Sequence, residues 1–183
     1  MDKDDFRMLK IACEGLEKAH IPYMLTGSFA ANFYAVPRMT RDIDIIVQIF
    51  ETDVDRFVQA FENQFYLDRR VILEAMEHRR MFNIINMDNA FKLDFIILKN
   101  SSYRQMEFQR KRRVIFNGVG VWIVSPEDLI ISKLDWAKDS MSEMQMRDVK
   151  NLLMTLKNID QTYLHQWIQT LRLDEIYAKV GHS

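Results

Sequence analysis

The expected fold is set by residues 25–47, which read LTGSFAANFYAVPRMTRDIDIIV. The apolar run 23–26 predicts a short strand, residues 27–28 predict a turn, and residues 29–34 predict a short helix. The β-branched run 42–47 then predicts a second strand. The turn between strand and helix is a natural phosphate seat, because backbone N–H groups are free at a helix N-terminus and the helix dipole is positive there.

Aspartates stand inside the second predicted strand. Side chains alternate between the two faces of a strand, so Asp42 and Asp44 share one face. Like charges side by side on an apolar strand are unfavourable unless a positive group compensates them. A divalent cation would do so, because Mg²⁺ prefers carboxylate oxygens, phosphates and water. Asp94 repeats the pattern on a predicted strand, 91–98, that can lie beside the first.

Each of these groups also has a structural interpretation. An Asp at a strand end often caps a turn or pairs with a nearby Arg, and Arg41 is adjacent to Asp42. Ser28 can N-cap the following helix instead of binding a phosphate. Lys133 lies among apolar residues on a predicted helix, where it either extends to solvent or meets an anion.

The rest of the chain predicts an α+β protein, with a small mixed β-sheet flanked by helices and a C-terminal helical extension. Residues 1–124 form the predicted core, and residues 125–183 form a helical subdomain packed on it. Besides the elements above, the patterns predict helices at 4–19, 52–65, 101–111, 126–138, 142–157 and 161–179, a strand at 81–87, and a hairpin at 114–124 around Asn117 and Gly118.

Composition excludes several classes of protein. The length of 183 residues fits about one domain, and the formal net charge of −1 provides no overall attraction for nucleic acid. Cys13 is the sole cysteine, which rules out an intramolecular disulfide framework. No apolar run approaches the roughly 20 residues of a membrane span, and the N-terminus is too polar for a signal peptide. We therefore expect a cytoplasmic protein without membrane contact.

The order and spacing of these motifs resemble a known signature. Leu-Thr-Gly-Ser at 25–28, thirteen further residues, Asp-Ile-Asp-Ile at 42–45 and Leu-Asp-Phe at 93–95 resemble the polymerase-β-like nucleotidyltransferases. Residues 27–31 and 38–44 are similar to a small bacterial branch related to abortive-infection toxin–antitoxin nucleotidyltransferases. Residues 125–134 and 147–149 are similar to that branch too.

The resemblance implies an enzyme that moves a nucleoside monophosphate from an NTP, most often ATP in this family, to an acceptor hydroxyl. It implies that residues 1–124 are a nucleotidyltransferase catalytic core that works with two Mg²⁺ ions. Asp42 and Asp44 would ligate both ions. Asp94 would ligate the catalytic ion and help to activate the acceptor hydroxyl.

The resemblance also assigns the donor triphosphate to Gly27 and Ser28, with Lys133 as a further contact. The chain departs from the smallest members of the superfamily, which carry Gly-Ser-Arg-Ala-Arg-Gly. Phe29 and Asn32 replace those two arginines here. The substrate of those members therefore does not transfer to this chain.

The acceptor and partners remain open in the sequence. Segment 104–113 has five basic residues and one acid, so it either binds an RNA or an acidic protein surface or is a solvated helix end. Trp136 and Trp167, at helical spacing, are interpreted as core or interface residues and not as a base-stacking platform. The acceptor is a small molecule, an RNA or a protein, and a homodimer or partner protein is possible. The alternatives to an enzyme are an antitoxin-like nucleotide-binding regulator of the same fold and an unrelated α+β domain with a structural Asp cluster.

Overall fold

The computed structural model of the chain describes residues 3–40 and 42–181. Within these residues it contains one mixed sheet of seven strands with helices packed on it. The strands are β1 (Tyr23–Leu25), β2 (Ile43–Val47), β3 (Phe65–Tyr66), β4 (Met81–Asn86), β5 (Lys92–Ile97), β6 (Arg112–Phe116) and β7 (Val119–Ile123). The α-helices are α1 (Lys3–Lys18), α2 (Gly27–Tyr34), α3 (Val54–Phe61), α4 (Arg69–Glu77), α5 (Ser102–Gln109), α6 (Pro126–Ser140), α7 (Glu143–Thr155), α8 (Gln161–Thr170) and α9 (Asp174–Gly181).

The strands are ordered β3-β4-β5-β2-β1-β7-β6 across the sheet. β2 and β5 are parallel neighbours near its centre, and β1 and β4 flank them in antiparallel orientation. Parallel neighbours require a long crossover connection, which here contains α3, β3, α4 and β4. The strand that carries Asp94 therefore lies directly beside the strand that carries Asp44, as predicted.

Apolar side chains fill the space between the sheet and its helices. Ile43 and Ile45 on β2 are buried, which leaves the opposite face of that strand for Asp44. The rings of Phe57 and Phe61 on α3 pack on Phe95 of β5, with centroids 5.1 and 5.8 Å apart. The centre of the sheet is thereby fixed by packing on one face, so its other face can carry polar groups without loss of the core.

The helical extension begins at a well-formed N-cap. The hydroxyl oxygen of Ser125 accepts a hydrogen bond from the backbone N–H of Asp128, and Pro126 occupies the first helical position. α6 packs against α2 as well as against α7, α8 and α9. The division of the chain after residue 124 stays a prediction.

Two boundaries differ from the sequence-based expectation. The predicted helix 52–65 is replaced by a 3₁₀ turn at Glu51–Asp53 and by α3, because the Asp53 carboxylate accepts from the backbone N–H of Phe50 and fixes an earlier start. The predicted helix 161–179 breaks into α8 and α9 at Arg172, which has a φ of 55°. This break lets Leu173 enter the core, where it is fully buried.

Helix α4 was not predicted, although Asp68 signals its start. The Asp68 carboxylate accepts from the backbone N–H of Arg70 at 2.8 Å, which is an N-cap interaction. Among the residues that the structure describes, no helix has the length and apolar character that crossing a membrane requires.

Candidate active site

Asp44 and Asp94 are direct partners in the parallel register of β2 and β5. Residues paired in this way project from the same face of the sheet. Asp94 is 5% exposed, Asp44 is half-buried, and Asp42 lies exposed immediately before β2. Burial raises the pKa of Asp44, and the negative charges of Asp94 and Asp42 raise this pKa further. The expected electrostatic conflict between these carboxylates is therefore present. Arg41, which the structural interpretation paired with Asp42, lies outside the described residues.

One cation already faces this pair of carboxylates. The Lys92 ammonium lies 2.8 Å from Asp94 Oδ2, and this hydrogen bond raises the pKa of Lys92. The other oxygen, Asp94 Oδ1, is buried and has no hydrogen-bond partner among the described residues. A buried carboxylate oxygen without a partner is costly, so it is an open acceptor position for a ligand, a metal ion or a proton.

The donor set fits Mg²⁺ in part. In residues 3–40 and 42–181, no group of three His, Cys, Asp or Glu side chains is arranged to hold a metal ion by itself. Mg²⁺ does not need such a group, because it is commonly held by one or two carboxylates together with substrate phosphates and water. Asp44 and Asp94, with the open Oδ1 of Asp94, supply that smaller set. The convergence of all three aspartates on two ions stays a prediction.

Gly27 brings the N-terminus of α2 against Asp44. Gly27 has a φ of +63°, and a Cβ atom there would lie 2.8 Å from Asp44 Cγ and would overlap Oδ2. The backbone N–H of Thr26 donates to the carbonyl of Asp44 at 3.0 Å, which fixes this approach. Thr26 is the N-cap of α2 and makes no side-chain capping bond within the described part of the chain. The N-terminal end of α2 therefore lies against Asp44, and its first N–H groups have no side-chain cap.

Ser28 belongs to a network of charged groups. Its hydroxyl oxygen accepts from Arg38 Nη2 at 2.6 Å. The Arg38 guanidinium also donates through Nε and Nη2 to the two carboxylate oxygens of Asp148, at 2.9 Å each. The Lys133 ammonium lies 2.8 Å from Asp148 Oδ2. Thr26, and not Ser28, is the N-cap of α2, so the N-cap interpretation of Ser28 was wrong.

Lys133 meets an anion, which was one of its two predicted roles. Lys133 is 3% exposed. Burial lowers its pKa, although the hydrogen bond to Asp148 opposes this effect. Lys133, Gly27 and Asp44 line one cavity of about 170 Å³. The structure therefore brings these three predicted residues together, with Asp94 beside them through the strand pairing.

Asp42 faces a second, larger cleft. This cleft has a volume of about 870 Å³ and is lined by Asp42, Arg38 and Lys92, among others. Arg38 lines the large cleft, and Asp148 connects it to the smaller cavity by accepting from both Arg38 and Lys133. No role was assigned to Arg38 or Asp148 from the sequence. Their only signal was that each lies in a segment similar to the family, 38–44 and 147–149.

The basic segment 104–113 is largely neutralised within the fold. Arg104 Nη2 lies 2.7 Å from Asp135 Oδ2, and Arg110 Nε lies 3.0 Å from Asp128 Oδ2. These pairs connect α5 and the following residue to α6. The segment is therefore neither a simple solvated helix end nor a free basic surface, and little of its charge remains for an external anion.

We expect Asp148→Asn to lower the free energy of unfolding by about 3 kcal/mol, because removal of one partner leaves buried charges uncompensated. Asp148 is 3% exposed as a side chain, and its partner Lys133 is 4% exposed. Chemical denaturation of the parent and the variant measures the difference. Asp55→Asn is the matched control, since it breaks an exposed pair with Arg69 and should change stability by less than about 1 kcal/mol.

Asp148→Asn should also change how the free energy of unfolding depends on pH under acidic conditions. Burial raises the pKa of Asp148, but hydrogen bonds from Arg38 and Lys133 outweigh it, and the pKa lies below its ordinary value. A carboxylate with a depressed pKa stabilises the fold above its unfolded pKa and loses this contribution as pH falls through its folded pKa. Asp148→Asn should lack that acid-dependent loss, and equal pH profiles for parent and variant would contradict this assignment.

Comparison with known proteins gives matches to solved structures. An antigenic nucleotidyltransferase-like protein from Paracoccidioides brasiliensis is similar with a TM-score of 0.62 and 14% identity, over 97% of this chain and 90% of that chain. The antibiotic-resistance factor ANT(2'')-Ia is similar with a TM-score of 0.58 and 14% identity, over 100% and 97%. The lincomycin-bound lincosamide antibiotic adenylyltransferase LnuA has a TM-score of 0.56 and 14% identity, over 85% and 99%.

These matches confirm the predicted α+β nucleotidyltransferase fold, and at this identity they concern the fold alone. No protein-family model matches the chain, and no curated protein matches it. The resemblance to the abortive-infection branch stays a prediction.

Proposed function

We propose that this chain, which has the fold of the polymerase-β-like nucleotidyltransferases, transfers a nucleoside monophosphate from an NTP to the hydroxyl of an acceptor. One observation carries the proposal. Asp44 and Asp94 stand side by side in the register of β2 and β5, and Gly27 at the start of α2 approaches Asp44 so closely that a Cβ would not fit. This arrangement supports a pair of carboxylates that would bind the metal, set against a helix end that would bind the phosphates.

In this reaction, the acceptor oxygen attacks the α-phosphorus, the bond to the bridging oxygen of the β-phosphate breaks, and pyrophosphate leaves. Asp44 and Asp94 would hold Mg²⁺, with Asp42 as the third proposed ligand. When bound, Mg²⁺ supplies charge stabilisation for the phosphoryl oxygens and a fixed orientation of the triphosphate. Asp94 would also help to activate the acceptor hydroxyl and take up its proton as the oxygen attacks.

The triphosphate would be bound by the first N–H groups of α2, by the Ser28 hydroxyl and by Lys133. Arg38 adds a second cation at the same place, because it donates to Ser28. Asp148 forms ion pairs with Lys133 and Arg38, so both cations are positioned before the NTP binds. Pre-positioned charges need no reorganisation during the reaction, which is the main source of rate in phosphoryl transfer.

ATP is the proposed donor and a small molecule the proposed acceptor. The similar structures include an adenylyltransferase with bound lincomycin and ANT(2'')-Ia in complex with adenylyl-2''-tobramycin. In this chain, the cleft of about 870 Å³ beside Asp42 is large enough for a small organic acceptor. The arginines of segment 104–113 form ion pairs with carboxylates of α6, which argues against RNA as the acceptor.

The test uses each NTP labelled at the α-phosphate, with Mg²⁺ or EDTA, and a lysate divided into small-molecule and macromolecular fractions. We expect Mg²⁺-dependent transfer of label, with ATP, into the small-molecule fraction. Asp42→Asn combined with Asp44→Asn should abolish it. Absence of transfer to any fraction, together with absence of Mg²⁺-dependent thermal stabilisation by any NTP, would rule out the proposal. Stabilisation without transfer would instead support the nucleotide-binding regulator.

A further inference from the structure

We infer that the Trp136 indole is the stacking platform for the base of the bound nucleotide. The inference rests on the proposed function, because it assigns the base to the same cavity whose other end holds the triphosphate. It departs from the sequence-based interpretation of Trp136 as a core or interface residue and not a stacking platform. The core position is wrong, since this residue is 64% exposed.

Trp136 lies on the same face of α6 as Lys133, the proposed triphosphate contact. Residues three and four apart lie on one face of a helix, so Leu129, Lys133 and Trp136 form a continuous stripe. All three line the cavity that Gly27 and Asp44 also line. Trp136 thus lies one turn beyond Lys133 on the same face of α6.

Trp136 differs from the other tryptophans in its surroundings. Trp167 packs on the ring of Tyr103, with centroids 5.0 Å apart. Trp122 has the charged groups of Lys111 and Arg113 over its ring, each 5.6 Å from the centroid. No ring or cation of the described residues stacks on Trp136, so its flat face is available at the cavity.

The walls around the indole have the chemistry of a base site. Ile96 and Leu129 contribute apolar surface to the cavity lining, whereas Thr26, Asp44 and Lys133 contribute polar and charged groups. A flat aromatic base gains by stacking on an indole, and every base offers a π-face for this contact. We therefore expect the platform to bind all four NTPs and to favour purines by their larger stacking area.

The experiment is titration calorimetry in Mg²⁺ with two probes, an ATP analogue with a non-hydrolysable α,β-bridge and inorganic tripolyphosphate. Trp136→Ala should weaken binding of the ATP analogue by about 10- to 100-fold and leave tripolyphosphate affinity unchanged. Trp136→Phe, which keeps a ring, should retain most of the affinity. Trp136→Leu, which keeps apolar bulk without a ring, should behave like Trp136→Ala. Met154→Ala is the control, because it removes an equally exposed apolar side chain outside the cavity.

The outcomes separate this inference from the proposed function. If the parent binds the ATP analogue and Trp136→Ala binds it equally well, the inference is overturned and the proposed transfer stands. An equal loss of ATP analogue and tripolyphosphate affinity also overturns it, because the indole would then support the phosphate seat. If the parent binds neither probe, both proposals are overturned.

Discussion

Asp44→Asn is expected to reduce the rate of NMP transfer by at least about 10³-fold while the protein remains folded. Asn keeps the size of the side chain but removes the negative charge that would hold Mg²⁺. Asp44 is the carboxylate closest to the helix end, because Gly27 lies directly against it. The measurement is the initial rate of α-label transfer from ATP, in the lysate fraction that supports transfer by the parent.

The same variant should make the metal-free protein more stable. Burial and the neighbouring charges of Asp94 and Asp42 disfavour the ionised form of Asp44 and raise its pKa. Removal of its charge relieves that repulsion, so the free energy of unfolding in EDTA should rise or stay level. Asp55→Asn, at an exposed carboxylate, should leave both rate and stability nearly unchanged. A marked loss of stability in Asp44→Asn would mean that this carboxylate serves the fold and not a ligand.

Gly27→Ala is the second change with a large expected effect. A Cβ at this position would overlap the Asp44 carboxylate, and the φ of +63° is unfavourable for any side chain. The backbone strain alone costs about 1 to 2 kcal/mol. Because the overlap also displaces Asp44, we expect the rate of transfer to fall at least about 100-fold, in line with the loss of one positioned group in an active site.

Gly118→Ala is a matched control for that substitution. Gly118 also has a positive φ, +82°, but no described atom lies within 4 Å of a Cβ built there. It should therefore lose stability through strain alone and keep the parental rate of transfer. Denaturation and transfer assays on both variants separate strain from displacement. Equal rates for Gly27→Ala and the parent would show that the approach to Asp44 has no part in the reaction.

The centre of the site was predictable from the sequence because its determinants are local. A Gly after a strand signals a turn, and alternation on a strand predicts a shared face for Asp42 and Asp44. β2 begins only at Ile43, so Asp42 lies just before the strand and the shared face stays a prediction. The parallel pairing of Asp44 with Asp94 is a long-range fact, yet a second Asp on an apolar strand was enough to suggest it. The nucleotidyltransferase fold was expected from the family resemblance that these residues carry, and the similar solved structures confirm it.

The supporting charges were not predictable in the same way. Arg38 and Asp148 are 110 positions apart in the chain, and their hydrogen bonds form only when α7 packs beside α2. Local patterns carry no information on such a contact. The ion pairs of the basic segment 104–113 were unpredictable for the same reason. Its arginines pair with carboxylates on α6, which a charge count along the sequence does not reveal.

Trp136 shows a further limit of helical periodicity. Helical spacing in the sequence favoured a core or interface position for it. The cavity between α6 and the sheet opens at that point, so the indole is exposed. Only the tertiary arrangement distinguishes a buried face from the wall of a binding cavity.

The most direct test of the proposed chemistry is a paired transfer reaction with ATP labelled at either the α- or the γ-phosphate. It compares the parent with Asp44→Asn, each in Mg²⁺. We predict that the α-label joins the acceptor, that the γ-label is released in pyrophosphate, and that both signals vanish in the variant. Transfer of the γ-label to the acceptor, or α-label transfer that survives Asp44→Asn, would contradict the account.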